Sequence, residues 1–90
     1  DEKRYWYWDA TIIFVWYDAP DSEVDYVLGR GRYKVLLPNG RQEAARSFLD
    51  ESFKMWDCVR VREHLSMLPP PVPFEIIGRA ESCYQPDGPK

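Results

Sequence analysis

The sequence predicts one small, mainly β domain with a single short helical segment. Three observations support this prediction: a long run of aromatic and β-branched residues near the start, a turn sequence between two alternating segments, and a short alternating segment further on. The 90 residues, 44% of them hydrophobic, are enough to build one core and too few for two. We therefore expect a single domain.

The longest predicted strand covers residues 5–17, which contain no Gly or Pro. Its even-numbered residues are all apolar: Trp6, Trp8, Ala10, Ile12, Phe14 and Trp16. Alternate residues of a strand lie on the same face, so the even row is predicted to be core. The odd-numbered residues become apolar only beyond Thr11. This change indicates either a strand covered on both faces or a β-bulge.

The next elements surround a turn. An acidic loop over residues 18–25 precedes a second strand over residues 32–37, which ends at Pro38-Asn39-Gly40, a sequence typical of turns. Residues 42–56 then allow two alternatives, one long helix or a return strand over 41–47 followed by a helical turn over 49–55. We favour the return strand, because a hairpin turn without one would leave an unpaired strand edge.

The remaining chain predicts two more strands. Val59 and Val61 alternate with Cys58, Arg60 and Arg62 in a short strand. Residues 68–73 read as a polyproline spacer, and residues 74–80 as a last strand. We therefore divide the chain into a barrel over 1–68 and a spacer with a C-terminal strand or tail over 69–90, with the alternative that this strand completes the barrel.

Composition limits the class of function. A net charge of −3 gives no overall basic field, and the longest apolar run, about 8 residues, is far shorter than the ~20 residues of a membrane span. Two cysteines without metal-ligand spacing predict reduced, intracellular thiols and no metal site. Because the chain begins at Asp1 without methionine, we expect it to be part of a longer protein.

Four segments resemble the Tudor and Agenet group of the Royal family of chromatin-associated domains. They read Tyr7-Trp8-Asp9-Ala10-Thr11-Ile12, Tyr33-Lys34-Val35, Gly40-Arg41-Gln42-Glu43 and Val59-Arg60-Val61-Arg62-Glu63-His64-Leu65. The resemblance implies a five-stranded, strongly bent SH3-like barrel in a nuclear protein. It also implies a histone-tail reader, in which an aromatic cage binds methylated lysine or arginine. Trp8 matches the motif as a cage residue, and Tyr7 and Tyr33 are the candidates for further walls.

Other interpretations of the same residues remain open. The aromatic residues of the first strand also fit a core or a homodimer face. Seven basic residues predict a DNA- or RNA-binding patch as the alternative function, unless the acidic loop neutralises them: Arg30, Arg32, Lys34, Arg41, Arg46, Arg60 and Arg62. His64 is the only histidine, and a pair of His64 with Cys58 as nucleophile would lack a third, orienting group and a glycine-rich oxyanion loop. We therefore predict a binding module without catalytic residues or cofactor.

Overall fold

The structure, a computed structural model, describes residues 4–18, 26–27, 29–65 and 71–83. These residues form five strands, numbered in chain order: β1 (Tyr5–Asp18), β2 (Gly31–Leu36), β3 (Gln42–Ser47), β4 (Cys58–His64) and β5 (Phe74–Arg79). Within the described residues, no helix is long and apolar enough to cross a membrane. The acidic loop beyond Asp18 and residues 68–70 of the polyproline spacer lie outside the described residues.

The strands close into a barrel in the order β1-β2-β3-β5-β4. All neighbouring strands are antiparallel except β3 and β5, which pair in parallel. Because β4 returns to lie beside β1, the first four strands form a Greek key, and β5 closes the gap between β3 and β4. A small, mainly β barrel is therefore confirmed, and its strand order is that of a five-stranded Greek-key barrel of the OB type.

The predicted hairpin joins β2 to β3. Gly40 N donates to Leu37 O and Leu37 N donates to Arg41 O, both at 2.9 Å. Gly40 has a φ of +91°, a conformation that glycine adopts without a Cβ penalty. The return strand pairs from Leu36 opposite Gln42 to Gly31 opposite Ser47. The hairpin alternative is thus confirmed, and the single long helix is wrong.

The even row of β1 is not a continuous core. Ala10 and Ile12 are fully buried, whereas Trp6, Phe14 and Trp16 are 58%, 47% and 48% exposed. The pairing with β2 shifts register between Ile12 and Phe14, so the inward side changes parity there. Trp6 is near the start of the strand. The predicted bulge is confirmed, but the assignment of Trp6, Phe14 and Trp16 to the core is wrong.

No helix forms over residues 49–55, so the predicted helical segment is also wrong. Backbone groups near this segment bond to β1 instead: Ile12 N donates to Asp57 O at 2.9 Å and Trp56 N donates to Ile12 O at 2.7 Å. Phe53 inserts into the core with its ring 5.7 Å from that of Tyr33. Tertiary contacts therefore override the helical propensity of the segment.

The two cysteines form a disulfide bond, so the prediction of reduced thiols is wrong. Cys58 at the start of β4 is bonded to Cys83, with the Cα atoms 5.5 Å apart. Ala80 N also donates to Cys58 O at 3.1 Å, and the Thr11 hydroxyl lies 3.0 Å from Cys83 Sγ. The segment after β5 is therefore fixed against β4 and the middle of β1, a staple well suited to a small core.

Candidate functional site

The three aromatic residues that the resemblance selects do not share one exposed surface. Tyr33 is fully buried and its hydroxyl donates to Asp18 Oδ1 at 2.6 Å. Burial, followed by this hydrogen bond, raises the pKa of the Tyr33 phenol well above its ordinary value. Trp8 is partly buried against the core, and Tyr7 is 47% exposed. Tyr33 is thus a core residue that anchors the end of β1.

Tyr7 belongs to a surface we term the β1–β4 face, formed by Tyr5, Tyr7, Asp9, Arg60 and Arg62. The Arg60 guanidinium lies 5.4 Å from the centre of the Tyr7 ring, and Arg62 lies 4.4 Å from that of Tyr5. Arg60 Nη1 also forms an ion pair with Asp9 Oδ1 at 3.2 Å. Neighbours on the same face therefore already occupy one side of each tyrosine ring.

A carboxylate on β5 neutralises Arg62, the second arginine of this face. Arg62 donates to Glu75 Oε1 from both Nε and Nη2 at 3.3 Å. His64 Nε2 lies 3.1 Å from the same carboxylate oxygen. Arg60 and Arg62, two of the predicted basic residues, thus each have a carboxylate partner. Asp9 and Glu75 therefore largely neutralise the positive charge of these two arginines.

A different surface lies on the other side of β1, where the bulge directs aromatic side chains outward. Phe14 and Trp16 are about half exposed, and their rings meet edge to face at 5.5 Å. Lys34 is opposite Phe14 in the β1–β2 pairing, and the Arg32 guanidinium lies 5.1 Å from the centre of the Trp16 ring. We call Phe14, Trp16, Arg32, Lys34 and Gln42 the β1–β2 aromatic face.

This face contains a depression of about 380 Å³, lined by Ile13, Phe14, Trp16, Lys34 and Gln42. Its volume falls at the small end of ligand pockets, roughly 300–1,000 Å³. Two aromatic rings supply flat walls. Lys34 adds a cation that donates hydrogen bonds, and Gln42 adds an amide that both donates and accepts them. The depression can therefore hold a flat ring with a polar edge.

The basic residues on this side have fewer carboxylate partners than those of the β1–β4 face. Among the described residues, neither Arg32 nor Lys34 has a carboxylate within 4.0 Å, and Arg30 has only Asp50, at 3.9 Å. Arg46 is 8% exposed and donates from Nη1 to Val27 O at 3.2 Å. Three cations without a carboxylate partner in the described part of the chain, Arg32, Lys34 and Arg46, therefore lie on β2 and β3.

Sequence reasoning identified Arg30, Arg32 and Lys34 but missed Phe14, Trp16 and Gln42 as surface residues. The change of the odd row to apolar after Thr11 was the available signal, because a bulge at that point moves the following even residues outward. In the described ranges, no group of three or more His, Cys, Asp or Glu side chains could hold a metal ion. No protein-family model, curated protein or solved structure matches this chain.

Proposed function

We propose that this chain is a non-catalytic module that binds single-stranded nucleic acid on the β1–β2 aromatic face. The observation that carries the proposal is the juxtaposition of two half-exposed rings, Phe14 and Trp16, with Arg32 and Lys34, which lack carboxylate partners within the described residues. Aromatic stacking surfaces beside cations are the usual means of binding unpaired bases and their phosphates.

The physical chemistry favours a single strand over a duplex. Bases stacked within a duplex have no free face, whereas an unpaired base can stack on Phe14 or Trp16, each such contact contributing about 1–3 kcal/mol. Lys34 and Arg32 lie beside the rings and can contact the phosphates that link successive bases. OB-type barrels bind oligonucleotides on the face of their second and third strands, and Arg32, Lys34 and Gln42 of the proposed site lie on β2 and β3, which supports the proposal by analogy of fold.

The net charge of −3 bears on how this binding depends on salt. A protein with few unneutralised cations at its site releases few counterions. With two or three phosphate contacts, the logarithm of affinity should fall with the logarithm of salt concentration with a slope of about −1.4 to −2. Stacking on the two rings should supply much of the remaining free energy and should survive at high salt.

The histone-tail reader implied by the resemblance, with its nuclear location, would need a cage built from Tyr7, Trp8 and Tyr33. A cage attracts a methylated cation through open aromatic faces. Tyr33 is fully buried, so one of the three walls that this cage would need offers no open face. Phe14 and Trp16 are both about half exposed, which supports the nucleic-acid function in preference to the cage.

Fluorescence anisotropy with a labelled 12-nucleotide strand, alone or annealed to its complement, tests the proposal. Trp16→Ala should weaken binding of the single strand at least fivefold, the effect expected from losing about 1 kcal/mol or more of stacking. Trp6→Ala is the matched control, because Trp6 is a tryptophan of similar exposure at the other end of β1. It should leave the affinity unchanged.

Thermal unfolding of each variant separates loss of binding from loss of fold. Arg60→Gln provides a second control, in which a cation already paired with Asp9 is removed. Tighter binding of the duplex than of the single strand, or equal losses in Trp16→Ala and Trp6→Ala, would contradict the proposal. Preferential binding of a trimethyl-lysine histone peptide, abolished by Trp8→Ala in a variant that still folds, would favour the cage.

A further inference from the structure

Three arginines gather at the end of the β2–β3 hairpin, and we call Arg30, Arg32 and Arg46 the arginine cluster. Arg32 and Arg46 are directly opposite in the pairing of β2 with β3. Like charges in this position destabilise a sheet, unless an anion lies between them. Arg30 lies in the turn immediately before β2. Three cations therefore lie at the same end of the hairpin.

Two of the three guanidinium groups are held in place by aromatic rings. Arg32 lies 5.1 Å from the centre of the Trp16 ring, and Arg46 lies 5.1 Å from that of Phe48. Arg46 is further fixed by its bond to Val27 O. A stacked guanidinium keeps its N–H groups in its own plane, from which they can donate to an oxyanion in a forked geometry. Little conformational freedom is then lost when an anion binds.

Each member of the cluster also has a buried donor without an acceptor. Within the described residues, the buried side-chain nitrogen atoms that lack a hydrogen-bond partner are Arg30 Nη1, Arg32 Nε and Arg46 Nε. Buried polar groups in native proteins are nearly always satisfied, and an exception requires a water, an ion or a functional explanation. All three exceptions lie in one cluster, which points to one anion as their common partner.

We propose that the arginine cluster binds the terminal phosphate of a nucleic-acid strand whose bases lie on the β1–β2 aromatic face. This inference rests on the proposed function. A terminal phosphate carries a charge of about −1.5 to −2 at pH 7 and has three acceptor oxygens, whereas an internal phosphodiester carries only one charge. Among the carboxylates of the described residues, only that of the exposed Asp50 lies within 4.0 Å of these cations, and three cations match the dianion better. The module would therefore bind strand ends in preference to strand interiors.

A competition experiment tests this preference. Unlabelled eight-nucleotide strands with a 5′-phosphate, a 3′-phosphate or hydroxyl groups at both ends displace a labelled strand from the protein. We expect one of the two phosphorylated strands to compete about tenfold better than the hydroxyl strand, as expected for an added charge-assisted contact. Arg30→Gln and Arg32→Gln should each remove this advantage, whereas Arg60→Gln should preserve it.

The outcomes distinguish the two proposals. Binding of all three strands with equal affinity would overturn the terminal-phosphate site and leave single-strand binding intact. If no strand binds, the proposed function fails, and the cluster is tested with inorganic phosphate alone. Millimolar phosphate should then shift the Nε–H resonances of Arg32 and Arg46, and resonances that stay unchanged would overturn the anion site as well.

Discussion

Reduction of the Cys58–Cys83 disulfide bond should lower the free energy of unfolding by about 3 kcal/mol. The two cysteines are 25 residues apart in the chain. Closing a loop of this length restricts the unfolded chain by about 3–4 kcal/mol in the chain-entropy model. A domain of 90 residues has a total stability of roughly 5–13 kcal/mol, so the bond supplies a large fraction of it. The midpoint of thermal unfolding should fall by roughly 12–25 °C.

Circular dichroism melts with and without dithiothreitol measure this shift, and thiol titration confirms that reduction is complete. The double variant Cys58→Ala with Cys83→Ala is the matched control, because its melting temperature should be low and insensitive to the reductant. Two thiols that react in the folded, unreduced protein would refute the reasoning. So would complete reduction that lowers the midpoint by less than about 3 °C.

Three further predictions concern the core and the β1–β4 face. Tyr33→Phe removes the hydrogen bond to Asp18 and should lower the free energy of unfolding, measured by chemical denaturation, by about 1–3 kcal/mol. Because burial raises the pKa of Tyr33, the stabilising contribution of this residue is present below about pH 10 and is lost as the pH rises further. The variant should therefore lack this loss of stability at alkaline pH. Gly31→Ala would place a Cβ 2.8 Å from the Tyr33 hydroxyl oxygen in a packed core, and its melt should report a loss of about 1–3 kcal/mol. Glu75→Gln weakens the partner of Arg62 on the other side of β1 and should leave strand affinity unchanged, and a marked change in that titration would argue for a binding site on the β1–β4 face.

The strands of the barrel could be predicted because each has a local signature. Residues 5–17 are aromatic and β-branched, Pro38-Asn39-Gly40 specifies a turn, and Val59 and Val61 alternate with polar neighbours. The order of the strands could not be predicted in this way. SH3-like and OB-type barrels are both small, five-stranded and strongly bent, and the parallel contact of β3 with β5 depends on long-range pairing.

The candidate site was harder to predict than the strands because it depends on irregular pairing of β1 with β2. The register shift between Ile12 and Phe14 exchanges the inward and outward rows, and Trp16 lies within a second shift, so Phe14 and Trp16 are on the surface and not in the predicted core. Conversely, Tyr33 is buried because its strand places it opposite Val15 and its ring packs on Phe53. The sequence pattern identified the basic residues. Only the folded chain shows that Arg60 forms an ion pair with Asp9, whereas Arg32 and Lys34 have no carboxylate partner among the described residues.

The four tryptophan indole N–H resonances test most directly whether a bound strand lies on the β1–β2 aromatic face. A titration of the ¹⁵N-labelled protein with a single-stranded oligonucleotide should shift the Trp16 resonance while those of Trp6 and Trp8 stay in place. These signals report on two separate ends of β1, so one spectrum compares the two candidate surfaces. A shift of the Trp8 resonance with Trp16 unchanged would contradict this placement of the strand.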